Sequence, residues 1–225
     1  MNLALFDLDH TLLDGDSDDL WYRFLAEEGV VDDTRFVEER ARFSADYRAG
    51  CLEVLDFYSF VLQPLADNTP HQLLAWRRRF VAERILPHIT SAARALLRKH
   101  RDSGHTLAII TATNRFITEP IAVELQVPHL MATEPEYDGT RFTGRVSGTP
   151  CFREGKLIHL REWLHKEKLV PAETWFYSDS HNDLPLLESV EHPVAVNPDR
   201  VLMQTARARG WPTLHMRREP ATAVS

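Results

Sequence analysis

Two aspartates one residue apart, Asp7 and Asp9, followed by Thr11, close an apolar run that begins at Leu3. In an extended strand residues i and i+2 share a face, so both carboxylates can aim at one point beyond the strand's carboxyl end. Carboxylates held that close repel unless a proton or a cation sits between them. The spacing therefore predicts a shared proton or a hard, oxygen-binding cation such as Mg2+. An Asp-rich turn or a helix N-cap would use the same residue types. Matching polar residues recur downstream. Thr111 follows the apolar run 106–110, and Ser178-Asp179, with Asn182 and Asp183, follows the run 174–177. If these runs are parallel strands, their ends share one edge, where open α/β sheets take ligands. Four carboxylates there (Asp7, Asp9, Asp179, Asp183) demand a cation. The Thr111 hydroxyl, free backbone N–H groups beside it from Ala112 on, and Lys156 near the start of an amphipathic segment would complete a phosphate site.

The elements that position these residues follow from periodicity and punctuation. Residues 3–6, 106–110, 128–131, 174–177 and 193–196 are short apolar runs of strand type. Helical spacing marks 89–100, 116–125, 154–168, 184–190 and 199–209, with Pro120 limiting the start of the second of these. Asp138-Gly139 predicts a β-hairpin over 136–148. Strands alternating with helices predict a parallel sheet with crossovers. One stretch breaks the alternation. Between the first strand and residue 87 the signals are helical only: from Ser17 or Asp18 to Gly29, then 33–48 broken by Gly50, then 52–62 ended by Pro64. A fourth helix opens on Thr69 as N-cap with Pro70 at its first position and closes at 85–87. An insert of this size can form a separate module. The expected division is a core of 1–14 and 88–225 and a helical cap of 15–87. From Arg217 onward the chain reads as a frayed polar tail.

The formal net charge of −7 argues against nucleic acid as the main partner, since phosphate neutralisation needs clustered cations. Arg77-Arg78-Arg79 reads as a solvated helix face. Two cysteines, Cys51 and Cys151, cannot build a disulfide framework and lack metal-site spacing. No leader pattern and no membrane-length apolar run is present, so the default expectation is a cytoplasmic protein with a small-molecule partner and no membrane.

With four separated motifs in this order, the chain resembles the haloacid dehalogenase (HAD) superfamily. Asp7-Leu8-Asp9-His10-Thr11 looks like the first motif, Thr111 the second, Lys156 the third, and Ser178-Asp179 through Asn182-Asp183 the fourth. The helical insert is similar to the C1-type cap of the phosphoserine-phosphatase-like branch, subfamily IB. The resemblance implies a Rossmannoid α/β core and a Mg2+-dependent phosphatase acting on a small phosphorylated metabolite. It implies Asp7 as nucleophile, giving an aspartyl-phosphate, and Asp9 as acid and then base. It assigns the metal to Asp7, the Asp9 carbonyl and Asp179, with Asp183 orienting its waters. Thr111, Ala112, Lys156 and Asn182 would serve phosphate and substrate, and Thr11 would orient Asp9 or its loop.

The chain departs from the phosphoserine phosphatases where substrate is read. Asp16 stands where they carry a glutamate for the substrate amine. The segment Gly50-Cys51-Leu52 is followed by no arginine to clamp a carboxylate, and the second motif is Thr111-Ala112-Thr113 rather than Ser-Gly-Gly. An amino-alcohol phosphate such as histidinol phosphate fits this pattern better than phosphoserine, with the cap aromatics Trp21, Phe57, Tyr58 and Phe60 able to admit a flat ring. The alternatives are a phosphoserine phosphatase, or a phosphotransferase or receiver-like regulator phosphorylated on Asp7 that uses the same site.

Overall fold

The computed structural model describes residues 1–49 and 53–217. Gly50, Cys51 and Leu52, and with them the expected break after the second helix, lie outside the described residues, as does most of the expected tail. Strand β1 (Asn2–Phe6) leads into α1 (Ser17–Glu27), α2 (Asp33–Ala49), α3 (Val54–Asp67) and α4 (Pro70–Phe80). A π-type turn (Val81–Ile85) and a 3-10 turn (Leu86–His88) then deliver α5 (Ser91–Asp102). The rest is β2 (Thr106–Asn114), α6 (Arg115–Glu124), β3 (His129–Thr133), the hairpin β4 (Pro135–Tyr137) and β5 (Phe142–Val146), and α7 (Glu154–Lys166). After these come β6 (Glu173–Ser178), α8 (Leu184–Leu187), β7 (His192–Val196), α9 (Arg200–Arg209) and β8 (Thr213–Leu214). The fold is α/β, as expected. Six strands pair in parallel in the order β3-β2-β1-β6-β7-β8, so β1 is central. The short edge strand β8 carried no sequence signal.

Alternation along β1 splits the interior in two. Ala4 and Phe6 join one cluster, Leu3 and Leu5 the other, and all four are fully buried. The Leu3/Leu5 side is covered by α7, α8 and α9 through Leu160, Leu186, Leu187, Leu202 and Ala206. The Ala4/Phe6 side runs on without a break into the helical insert, through Leu8, Leu12, Trp21, Phe24, Leu62 and Phe80. Trp21 meets Phe80 edge-on at 5.0 Å and Phe116 of α6 at 6.0 Å, which ties insert to core.

Several boundaries shift from expectation, and three of these differences bear on the site or its support. Pro64 lies inside α3, which continues to Asp67. It falls in the last turn, where little helix remains to disrupt, and Asn68 Nδ2 donates to Pro64 O (2.9 Å), tying off the end. Pro120 lies inside α6. Its missing N–H would have bonded the Phe116 carbonyl, and Arg77 Nη1 of α4 donates to that oxygen instead, at 2.9 Å. One arginine of the 77–79 run therefore joins insert to core. Finally, β2 extends to Asn114, with a register shift against β3 between Ile110 and Asn114. That irregularity falls on Thr111–Thr113, and bulged strands commonly re-aim side chains beside functional sites. Thr69 caps α4 with Pro70 at its start, as expected, and Gln72 completes a capping box with Thr69.

Candidate active site

The sheet brings the four motifs to one edge. Asp7 is the first residue past β1 and is 7% exposed; its N–H donates to Tyr177 O of β6, extending the ladder to the site. Lys156 enters from the first turn of α7, 3% exposed, and its Nζ donates to Asp7 Oδ1 (2.8 Å) and Asp183 Oδ2 (2.7 Å). Ser178 Oγ donates to the same Asp183 oxygen at 2.6 Å. Lys156 can sit this deep because Gly155 precedes it: a Cβ there would lie 2.0 Å from Pro150 O. The other Asp7 oxygen, Oδ2, is 3.4 Å from Thr11 Oγ1, which is 3.5 Å from Asp179 Oδ1. Thr11 thus spans Asp7 and Asp179 rather than reaching Asp9.

Asp9 is held apart from this cluster. Its Oδ1 accepts the Ser17 N–H at the start of α1 (2.6 Å), and its Oδ2 accepts the Thr113 hydroxyl (2.8 Å). Thr113 Oγ1 is also 3.2 Å from Asp18 Oδ2. Thr113 was noticed in the sequence only as a departure from a motif, and its position at the bulged end of β2 makes it the clasp of Asp9. The Thr111 hydroxyl, 1% exposed, accepts the Thr113 N–H at 3.2 Å. Ala112 is pinned through its carbonyl, which accepts from Thr133 Oγ1 (2.7 Å) and from Tyr58 Oη of α3 (3.1 Å). Asn182 faces a cavity of about 590 Å³ that it shares with Ala112, Phe152, Asp16, Arg40 and Tyr58. Arg40 of α2 is the residue that the sequence reading missed. The expected place for an arginine was past Leu52, although Arg40 stands at helical spacing between Phe36 and Phe43, on the side of α2 that turns inward. Asp16 is the N-cap of α1, accepting the Asp19 N–H at 2.9 Å, and is also paired with Arg40 at 3.4 Å.

The electrostatics follow from burial. Desolvation raises Asp7 above the ordinary carboxylate range against the opposing pull of Lys156. Burial, then Asp16 and Asp7, raises Asp9 well above it. Asp179 is pushed up to about 9 by burial, then by Asp7 and Asp183. Burial alone would lower Lys156, but the Asp183 and Asp7 carboxylates outweigh it and keep the ammonium charged. One ammonium does not balance this much buried carboxylate. The donor set fits a hard divalent cation at Asp7 and Asp179. Among the described residues no three His, Cys, Asp or Glu side chains converge as a metal cage. Asp183, expected to order metal-bound water, is committed through Oδ2 to Lys156 and Ser178.

A strand-end aspartate pair, a buried lysine and a second acidic loop on a parallel sheet define a class, and comparison with known proteins agrees. The chain belongs to the haloacid dehalogenase-like hydrolase family, whose model matches residues 4–188, and it is a phosphatase of that family. It is 42% identical over 221 residues to a histidinol-phosphatase of Neisseria meningitidis, covering 96% of this chain and 99% of that one. It is 32% identical over 218 residues to phosphoserine phosphatase SerB1 of Mycobacterium tuberculosis, covering 92% and 68%. Among solved structures, a Bordetella pertussis protein of unknown function superposes with TM-score 0.89 at 45% identity over 95% and 97% of the two chains. A phosphoserine phosphatase held as a phospho-aspartyl intermediate analogue superposes with TM-score 0.67 over 97% and 94%; at 17% identity it shows the shared fold. Family membership carries metal dependence with it. No described helix is long and apolar enough to cross a membrane.

Proposed function

We propose that the protein is a Mg2+-dependent phosphatase that hydrolyses an amino-alcohol phosphate of the histidinol phosphate type, with residues 15–87 acting as a cap over the core of 1–14 and 88–225. The observation that carries the reaction is the division of the two aspartates between separate clasps. Asp7 is fixed by Lys156 with its second oxygen toward Thr11 and Asp179. Asp9 is fixed by Ser17 and Thr113. Asp7 attacks phosphorus and becomes the aspartyl-phosphate. Asp9, whose hold on a proton burial strengthens, gives a proton to the leaving alcohol and takes one from the water that cleaves the acyl phosphate. Lys156 and the Thr111 hydroxyl stabilise charge on the phosphoryl oxygens. A bound Mg2+ supplies further charge neutralisation there. Asp183 and Ser178 keep Lys156 in place.

The cavity supports the substrate reading. Ala112, Phe152 and Asn182 of the core line it on one side, and Phe43, Phe57, Tyr58 and Asp16 of the insert on the other. A phosphate at the Ala112 end puts the organic part between aromatic rings and its ammonium near Asp16. The full-length relative described as a histidinol-phosphatase points the same way. Tyr58 to Ala112 and Arg77 to Phe116 support the cap assignment, since both cross from the helical insert to the core. The test is phosphate release with Mg2+ from histidinol phosphate, phosphoethanolamine, phosphoserine and an aryl phosphate. The expected order puts the carboxylate-free amines ahead of phosphoserine, with all activity lost in Asp7→Asn. Activity that survives Asp7→Asn rules out the nucleophile, and phosphoserine as best substrate rules out the specificity.

A further inference from the structure

The cavity wall contains an arginine that is already engaged. Arg40 Nη2 forms an ion pair with Asp19 Oδ1 and sits 3.4 Å from Asp16 Oδ2. The two contacts are unequal. Asp19 Oδ1 is sealed from solvent, with the Arg40 guanidinium as its ion-pair partner. Asp16 has a separate anchor, because its Oδ1 caps α1 by accepting the Asp19 N–H. Asp18 adds a third carboxyl group on the same turn, raised by burial to about 7, and Arg40 feels all three.

We propose that Asp19 is a specificity-determining residue: by holding Arg40 it denies the cavity a carboxylate clamp, so that phosphate esters with an ammonium and no carboxylate are selected. The proposal rests on the amino-alcohol phosphate reading above. A guanidinium binds a carboxylate well when its fork is free to meet both oxygens. Arg40 can do so only by giving up its ion pair with Asp19, whose Oδ1 has no hydrogen-bond partner of its own, and that loss weakens any clamp Arg40 could form. An incoming ammonium asks much less. It displaces Arg40 only from its longer contact with Asp16 Oδ2, while the pair with Asp19 stays intact. The same four side chains therefore accept a cation and reject an anion.

The experiment measures kcat/KM for phosphoserine and histidinol phosphate with Mg2+ in the wild-type full chain, Asp19→Asn, Arg40→Gln and the double variant. The ratio of the two substrates is read within each preparation, so partial unfolding cancels. Asp19→Asn is expected to raise the phosphoserine-to-histidinol phosphate ratio about tenfold, the effect of one freed charge-assisted contact. Adding Arg40→Gln is expected to remove that gain. An unchanged ratio in Asp19→Asn overturns the proposal. So does a fall in the ratio in Arg40→Gln alone, which would make Arg40 a working clamp. If wild type turns over neither ester, the amino-alcohol reading fails. The inhibition constants of the two esters against aryl phosphate hydrolysis then decide the lock, with the same expected shift and the same overturning result.

Discussion

Lys156→Met tests whether the buried ammonium holds the site together or only decorates it. Lys156 is 3% exposed and its Nζ lies 2.8 Å from Asp7 and 2.7 Å from Asp183, both themselves buried. Methionine fills most of the volume, so the packing loss is small and the change is one of charge. Removing one partner of a buried pair typically costs about 3–5 kcal/mol because the other charge is left uncompensated. Two carboxylates are left facing each other without their cation. Asp7, already raised by burial, then rises further above its unfolded value of about 4. The folded state then binds more protons than the unfolded chain, so stability falls as pH rises through that window. Wild type already has this sense, with Asp179 at about 9, so the measured quantity is the difference between the two proteins. Urea unfolding of metal-free protein, followed by circular dichroism, should show a loss of about 3–5 kcal/mol at pH 8 and about half of that or less at pH 5. A loss below about 1 kcal/mol at pH 8, or an equal loss at both pH values, refutes the argument.

Gly155→Ala places a methyl 2.0 Å from the Pro150 carbonyl, so backbone must move; a drop of about 3 kcal/mol or more in urea stability is expected, along with loss of phosphatase activity as Lys156 is displaced. Thr113→Val removes the 2.8 Å hydrogen bond to Asp9 Oδ2. It should lower kcat about 10–100-fold with KM little changed, and an equal fall through KM would show that Thr113 binds substrate instead. His100 is lowered from 6.5 to about 4, by burial first and then by His105 and Lys99. Its neutral ring contacts Tyr177 Oη and His105 at 2.8 Å each. Because the unfolded chain binds more protons between these values, the His100 contribution is complete above pH 6.5 and fades as pH falls toward 4. It amounts to about 3 kcal/mol at most. Thermal unfolding of His100→Gln across pH 7 to 4.5 should show a flatter acid limb than wild type; identical slopes would remove His100 as its source.

The chemistry was legible in the chain because it is written in short-range patterns. Asp7, Asp9 and Thr11 sit at fixed offsets after an apolar strand, and strand alternation alone aims both carboxylates past its end. The helical insert announced itself through the absence of strand signals over 70 residues or so, and the family motifs named Thr111, Lys156, Asp179 and Asp183 from far-separated segments. The prolines were misread for a physical reason. Local propensity assigns Pro64 and Pro120 as helix limits, but a helix tolerates a proline when a distant group repairs the lost hydrogen bond, as Arg77 does at Phe116.

What only the tertiary structure decided is which polar residue faces which. Thr11 spans Asp7 and Asp179, Thr113 clasps Asp9, and Asp183 serves Lys156. An arginine from α2, with no motif around it, reaches the cavity and is held there by Asp19. Periodicity reports whether a side chain is inside or outside, and motif spacing reports which residue types share a strand end. Neither reports pairings across residues far apart in sequence, because those depend on how the helices of the insert pack over the sheet. The strand-end motif was thus legible from local spacing, whereas the packing of α2 and α3 alone places Arg40, Phe43, Phe57 and Tyr58 around the cavity.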